Sequence, residues 1–127
     1  MKLDEYFENT SSVGVLSTAD DQGKVNAAIY GRPHFMDENT VAFIASDRLT
    51  HANLKKNPSA IYLFKEEGSY KGCRIYLTKT HEEKDSPLIE KIRRKKYKGT
   101  GCKNNAESKF LIYFKLDKVL PLIGDGK

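Results

Sequence analysis

The residues best equipped for chemistry fall in one short run, Ser46-Asp47-Arg48-Leu49-Thr50-His51-Ala52-Asn53. Ser46 and Thr50 carry hydroxyl donors, and Arg48 carries a planar guanidinium able to bond two oxygens of one anion. The run leads into residues with the spacing of a short helix. A helix start presents unpaired backbone N–H groups and the positive end of the helix dipole, so hydroxyls and an arginine gathered there form a seat for a phosphate monoester. The same residues would also make an ordinary helix cap with a surface arginine.

Other chemistries find little support. His34, His51 and His81 are scattered with no HxH or HExxH spacing, and no GxSxG turn is present. The glycine-rich GTG at 99–101 is not followed by the lysine and serine of a phosphate loop. Cys73 and Cys102 form no CxxC pair and read as idle thiols. A nucleophile-and-base enzyme is therefore not expected, and no catalytic acid or base is assigned.

A second stretch of interest is AAIYGRPHF, residues 27–35, where Gly31 and Pro33 interrupt an extended run. Glycine lets a planar group approach the backbone, and proline marks an edge or bulge where ladder hydrogen bonds are missing. The stretch fits a heterocycle-binding strand or a barrel corner without a ligand.

The elements that must hold these stretches follow from periodicity. Residues 3–9 make a short helix with Leu3, Tyr6 and Phe7 on one side. Strands are predicted over 13–19, 24–35 and 41–46, joined by the turns ADDQG and MDEN, which points to an antiparallel meander. A helix follows over 46–58, with Ser46 or Asp47 as its cap and Asn57-Pro58 as its stop. Strands alternate again over 59–65 and 73–80. Asp85-Ser86-Pro87 opens a further helix that turns Leu88, Ile89 and Ile92 inward. The last strong strand is 109–116, with a tail broken by Pro121. This order predicts a mainly β fold with short helices, a six-stranded antiparallel split β-barrel, and a single domain over 1–127.

Size and charge agree. The chain has 127 residues and 14.4 kDa, with 39% hydrophobic and 31% charged side chains, as in an ordered globular protein. No apolar run could span a bilayer, and the N-terminus has no apolar signal region, so no membrane contact and a cytoplasmic location are expected. The net charge of +5 is local: residues 91–103 hold seven of the 22 basic residues and no acid, leaving 15 bases against 17 acids elsewhere. A solvated basic helix explains this better than a nucleic-acid surface, which draws on several elements.

The words of the chain carry a resemblance. GVLSTADDQGKVNAAIYGRPHF and TVAFIASDRLTHANLKKNPSAIYLF, with the helix ending Asn53-Leu54-Lys55-Lys56-Asn57-Pro58, resemble the pyridoxamine 5'-phosphate oxidase-like FMN-binding split-barrel family in its small single-domain form. The resemblance implies a homodimer with FMN in a groove at its interface, and Phe64, Tyr113 and Phe114 are expected as apolar surface available for the pairing. The flavin ring would lie along Ala28, Ile29, Tyr30 and Gly31, facing Ile44, Ala45 and Ser46. The phosphate would sit at Arg48, Leu49 and Thr50, with Asn53 beside them. The chain departs from the family where Leu49 and Thr50 replace the usual lysine or arginine, and the C-terminal substrate-binding arginine and histidine residues of the named oxidases are not expected in it. The function implied is a flavin-dependent oxidoreductase exchanging electrons with a small-molecule donor or acceptor. The alternatives are a non-catalytic flavin or electron-transfer protein, and a haem-binding protein of the same fold.

Overall fold

The computed structural model describes residues 3–10, 12–96 and 109–124, without the side chains of 93–96. Its elements in chain order are α1 (Leu3–Asn9), β1 (Ser12–Ala19), β2 (Val25–Ile29), β3 (His34–Phe35), β4 (Thr40–Ser46), α2 (Leu49–Lys56), β5 (Ser59–Glu66), β6 (Gly72–Lys84), α3 (Pro87–Lys96) and β7 (Lys109–Pro121). The predicted mainly β chain with short helices is what folds.

The β1–β2 hairpin shows how local chemistry sets the register. Asp20 closes the turn by accepting the Gln22 and Lys24 N–H groups on its carboxylate at 2.8 and 2.9 Å, and Gly23 takes the positive φ of 83° that the turn requires. Val15 then stands opposite Ile29 and Leu16 opposite Ala28. In β4, Val41, Phe43 and Ala45 enter the main core, while Ala42 and Ile44 face a smaller cluster with Leu111, Tyr113 and the α3 residues Ile89 and Ile92. At the start of α3, Pro87 occupies the first helical position and Ser86 Oγ accepts the Leu88 N–H at 3.2 Å. Leu88 itself stays largely exposed, unlike the inward position expected for it.

The predicted six-stranded barrel is corrected. The sheet has seven strands in the order β2-β1-β5-β6-β7-β4-β3, every pairing antiparallel, and it is not closed into a barrel. The run 24–35, expected as one strand, breaks at Tyr30–Pro33 into β2 and β3, which lie at opposite edges of the sheet. Pro33 has no N–H to give a ladder, and β3 is only two residues long, so the chain crosses the gap without pairing its sides. The tail is also different: β7 continues unbroken through Pro121, which pairs with Cys73.

The sheet nevertheless wraps around an aromatic core. Phe43 of β4 and Tyr62 of β5, which are not neighbours in the strand order, have ring centroids 5.1 Å apart. Phe7 of α1 plugs the open side, 4.4 Å from Phe64 and 6.1 Å from Phe35. Phe64, Phe114 and Tyr113, expected as surface for subunit pairing, are buried in the protein. Val13, Val25 and Ile29 of the β1–β2 hairpin are among the apolar residues that do face outward. Ile29, Val15 and Leu63 form one cross-strand row on the face opposite the core.

Candidate functional site

The end of β2, the end of β4 and the first turn of α2 surround a cleft of about 420 Å³. Ala28, Ile29, Tyr30, Gly31, Ile44, Ser46, Arg48, Leu49 and Thr50 line it, together with Asn26. Two expected residues lie elsewhere. Ala45 points into the core, because side chains alternate along β4. Asn53 is buried one turn further along α2 and donates from Nδ2 to Thr18 Oγ1 at 3.1 Å, which ties the helix to β1. Asn26 was missed, although the period of two places it on one face of β2 with Ala28 and Tyr30.

The two ends of the cleft differ chemically. At one end the chain turns tightly, with the Arg48 N–H donating to the Ser46 carbonyl at 2.8 Å, and α2 begins at Leu49. Arg48 is the N-cap residue, and no side chain caps the helix. First-turn N–H groups, the exposed Arg48 and Ser46 therefore converge where an anion would be stabilised. The expected cap by Ser46 or Asp47 is absent, and Asp47 is engaged with His51 instead. At the other end Ile29, Ile44 and Leu49 give apolar walls, and β2 is an edge strand with half its backbone groups unpaired by a ladder.

Tyr30 is held through its backbone: its N–H donates to the Gly14 carbonyl at 3.1 Å, and its own carbonyl accepts the Tyr62 hydroxyl at 3.2 Å. Burial pushes the Tyr30 phenol up from its usual value, and the Thr50 hydrogen bond offsets part of that rise. Gly14 is required for this arrangement, since a Cβ there would overlap the Tyr62 hydroxyl.

His51 does not reach the cleft. It is fully buried, stacked on Phe110 at 3.8 Å, with Nδ1 3.1 Å from Asp47 Oδ1 and Nε2 2.8 Å from Glu82 Oε2. Glu82 also accepts the Lys79 ammonium at 2.6 Å. Burial pushes the Glu82 carboxyl up, but the hydrogen bonds and charges of His51 and Lys79 outweigh it and hold the group below its usual value. The network joins the first turn of α2 to β6. No sequence signal marks it, because its members lie on different elements.

The remaining described candidates are not among the residues lining the cleft. His34 lines a separate hollow, and His81 stacks on Tyr113 at 4.2 Å. Cys73 is buried and its thiol is pushed up to about 11, so it is no nucleophile near neutral pH. Cys102, GTG at 99–101 and most of the basic segment lie outside the described residues. Among the described residues no cluster of His, Cys, Asp and Glu could hold a metal ion, and no helix is long and apolar enough to cross a membrane.

No protein-family profile matches the chain, and no curated protein matches its sequence. Solved structures do match. An FMN-binding protein from Syntrophomonas wolfei subsp. wolfei superposes with a TM-score of 0.78 at 20% identity, over 97% of this chain and 85% of that one. An F420 reductase matches with a TM-score of 0.75 at 14% identity, over 94% and 97%. HutZ, the haem storage protein from Vibrio cholerae, matches with a TM-score of 0.61 at 18% identity, over 94% of each chain. The chain thus has the fold of the pyridoxamine 5'-phosphate oxidase-like proteins, a fold whose solved members include both FMN-binding and haem-storing proteins.

Proposed function

We propose that the cleft binds FMN and that the protein is a flavin-dependent oxidoreductase. One observation carries this reading: a single cleft joins an uncapped helix start with Arg48 and Ser46 to apolar strand walls. These are the two halves of a flavin mononucleotide, a dianionic phosphate and a planar ring. Arg48, Ser46 and the α2 backbone would hold the phosphate. Ala28, Ile29, Tyr30, Gly31 and Ile44 would flank the ring, with Leu49 and Thr50 between. Bound FMN supplies hydride or electron exchange with a small-molecule partner, while the protein orients the ring and tunes it through the strands. The fold likeness to an FMN-binding protein supports the same reading.

The haem alternative fits the cleft less well. None of its lining residues is histidine, cysteine or methionine. Visible spectra of the purified protein before and after FMN addition test the cofactor: paired yellow bands are expected, and a colourless protein that takes up no FMN would refute the proposal. Oxidation of NADH or NADPH by the loaded protein then separates an enzyme from a passive flavin carrier.

The protein is further proposed to act as a homodimer. The outward row Ile29-Val15-Leu63 adjoins the cleft through Ile29, which is 78% exposed and belongs to both. A second copy on this face would bury that row and cover the open side of the cleft. Sedimentation equilibrium at micromolar protein is expected to give twice 14.4 kDa; a monomer with flavin bound would refute the pairing.

A further inference from the structure

Leu49 and Thr50 give the cleft side of the first turn of α2 no lysine or arginine, and Arg48 is the only charged residue among those lining the cleft. A second cation stands behind the wall. Ser46 and Lys109 form the last cross-strand pair of the β4–β7 ladder, and the Lys109 ammonium donates to Ser46 Oγ at 2.7 Å. We propose that Lys109 is a positioning residue for the phosphate end of the cleft, polarising the Ser46 hydroxyl toward a bound phosphate monoester and adding a positive charge beside Arg48. The identity of that monoester as FMN rests on the function proposed above.

The geometry supports a prepared role. The backbone of Lys109 is fixed on both sides by Asp85: its N–H donates to Asp85 Oδ1 at 3.0 Å, and its carbonyl accepts the Asp85 N–H at 2.7 Å. A hydroxyl that accepts from a cation is a stronger donor in turn, and Ser46 faces the cleft next to Arg48. Asp47 bonds His51, and Asp85 bonds the Lys109 backbone. Residue 109 lies 63 positions from Ser46, so no local motif could have paired them.

Wild type, Lys109→Met and Lys109→Arg are titrated with FMN and riboflavin by fluorescence quenching. Lys109→Met should weaken FMN about tenfold while riboflavin, which lacks the phosphate, changes by less than about twofold, and Lys109→Arg should restore most of the loss. Equal losses for both ligands, or none for either, would make the lysine a latch between β4 and β7 and overturn the proposal. If wild type binds no FMN, the flavin reading fails separately. Inorganic phosphate followed through the backbone amide resonances of Ser46 and Arg48 then decides: shifts that vanish in Lys109→Met uphold the role of the lysine. Shifts retained in the variant, or absent from wild type, overturn it.

Discussion

Consecutive stretches of one crossing segment face two different hollows. Residues 28–31 line the cleft of about 420 Å³, and residues 32–36 line another of about 310 Å³ with Asp4, Glu8 and Ile92. Each hollow has an arginine. The Arg32 guanidinium donates to the carbonyls of Glu8 at 2.7 Å and Phe7 at 3.4 Å, at the C-terminal end of α1 where the backbone is negative. Two carboxylates share that hollow. Arg48 stands at the opposite pole of a helix, beside first-turn N–H groups that no side chain caps. One arginine neutralises a helix end, and the other reinforces one. Concavity and an arginine are common to both, so the sign of the nearby backbone and side-chain groups is what makes one of them suited to an anion.

The largest effect that would break this comparison comes from the support of the crossing segment. In Gly14→Ala the new methyl would collide with the buried Tyr62 hydroxyl and press on the Tyr30 carbonyl. Overpacking of this kind costs about 3 kcal/mol. A lower urea midpoint together with weaker binding of both FMN and riboflavin is expected; unchanged stability would mean that Tyr62 does not fix the cleft wall.

Next in size is Arg48→Ala. Loss of a charge-assisted bond to a dianion should cost roughly 1.5–3 kcal/mol, or about 10- to 150-fold in FMN affinity, with riboflavin barely affected. Fluorescence titration with both ligands checks it, and equal losses would move Arg48 from the phosphate to the ring or the fold.

Arg32→Met sharpens the contrast from the other side. It removes the bonds to the end of α1 and should cost roughly 1 kcal/mol of stability in urea while FMN affinity stays within about threefold. A flavin defect as large as that of Arg48→Ala would erase the distinction between the hollows.

The smallest effect concerns the anchor beneath α2. The folded Glu82 carboxyl titrates below its usual value of 4.5, so the stability it contributes is fully present above that value and is lost as pH falls through the lower folded one. Urea midpoints measured between pH 7 and 3 should therefore fall more steeply for wild type than for Glu82→Gln, with a difference on the order of 1 kcal/mol. Parallel profiles would show that the His51 bridge adds no pH dependence through Glu82.

Much of the local structure was legible. The turn at Asp20–Lys24, the start of α3 at Ser86-Pro87 and the two apolar faces of β4 follow from turn chemistry, capping and alternation. Most of the cleft was legible too, because Ala28–Gly31 and Ser46–Thr50 are each contiguous. Ala45, read into the cleft from a contiguous run, faces the core by the period of two. Phe64, Tyr113 and Phe114 were misplaced because apolar character does not tell which side of a curved sheet faces solvent.

The sequence by itself determined where most strands and helices form and which short run brings a guanidinium and hydroxyls to a helix start, since those depend on residues a few positions apart. Only the tertiary structure decided that β2 and β3 separate to opposite edges, that His51 is bridged to Glu82, and that Lys109 stands against Ser46. These contacts join residues brought together by the path of the whole chain. The physical reason is that a buried polar group must find its partner wherever packing places one, and separation along the sequence carries no record of that distance.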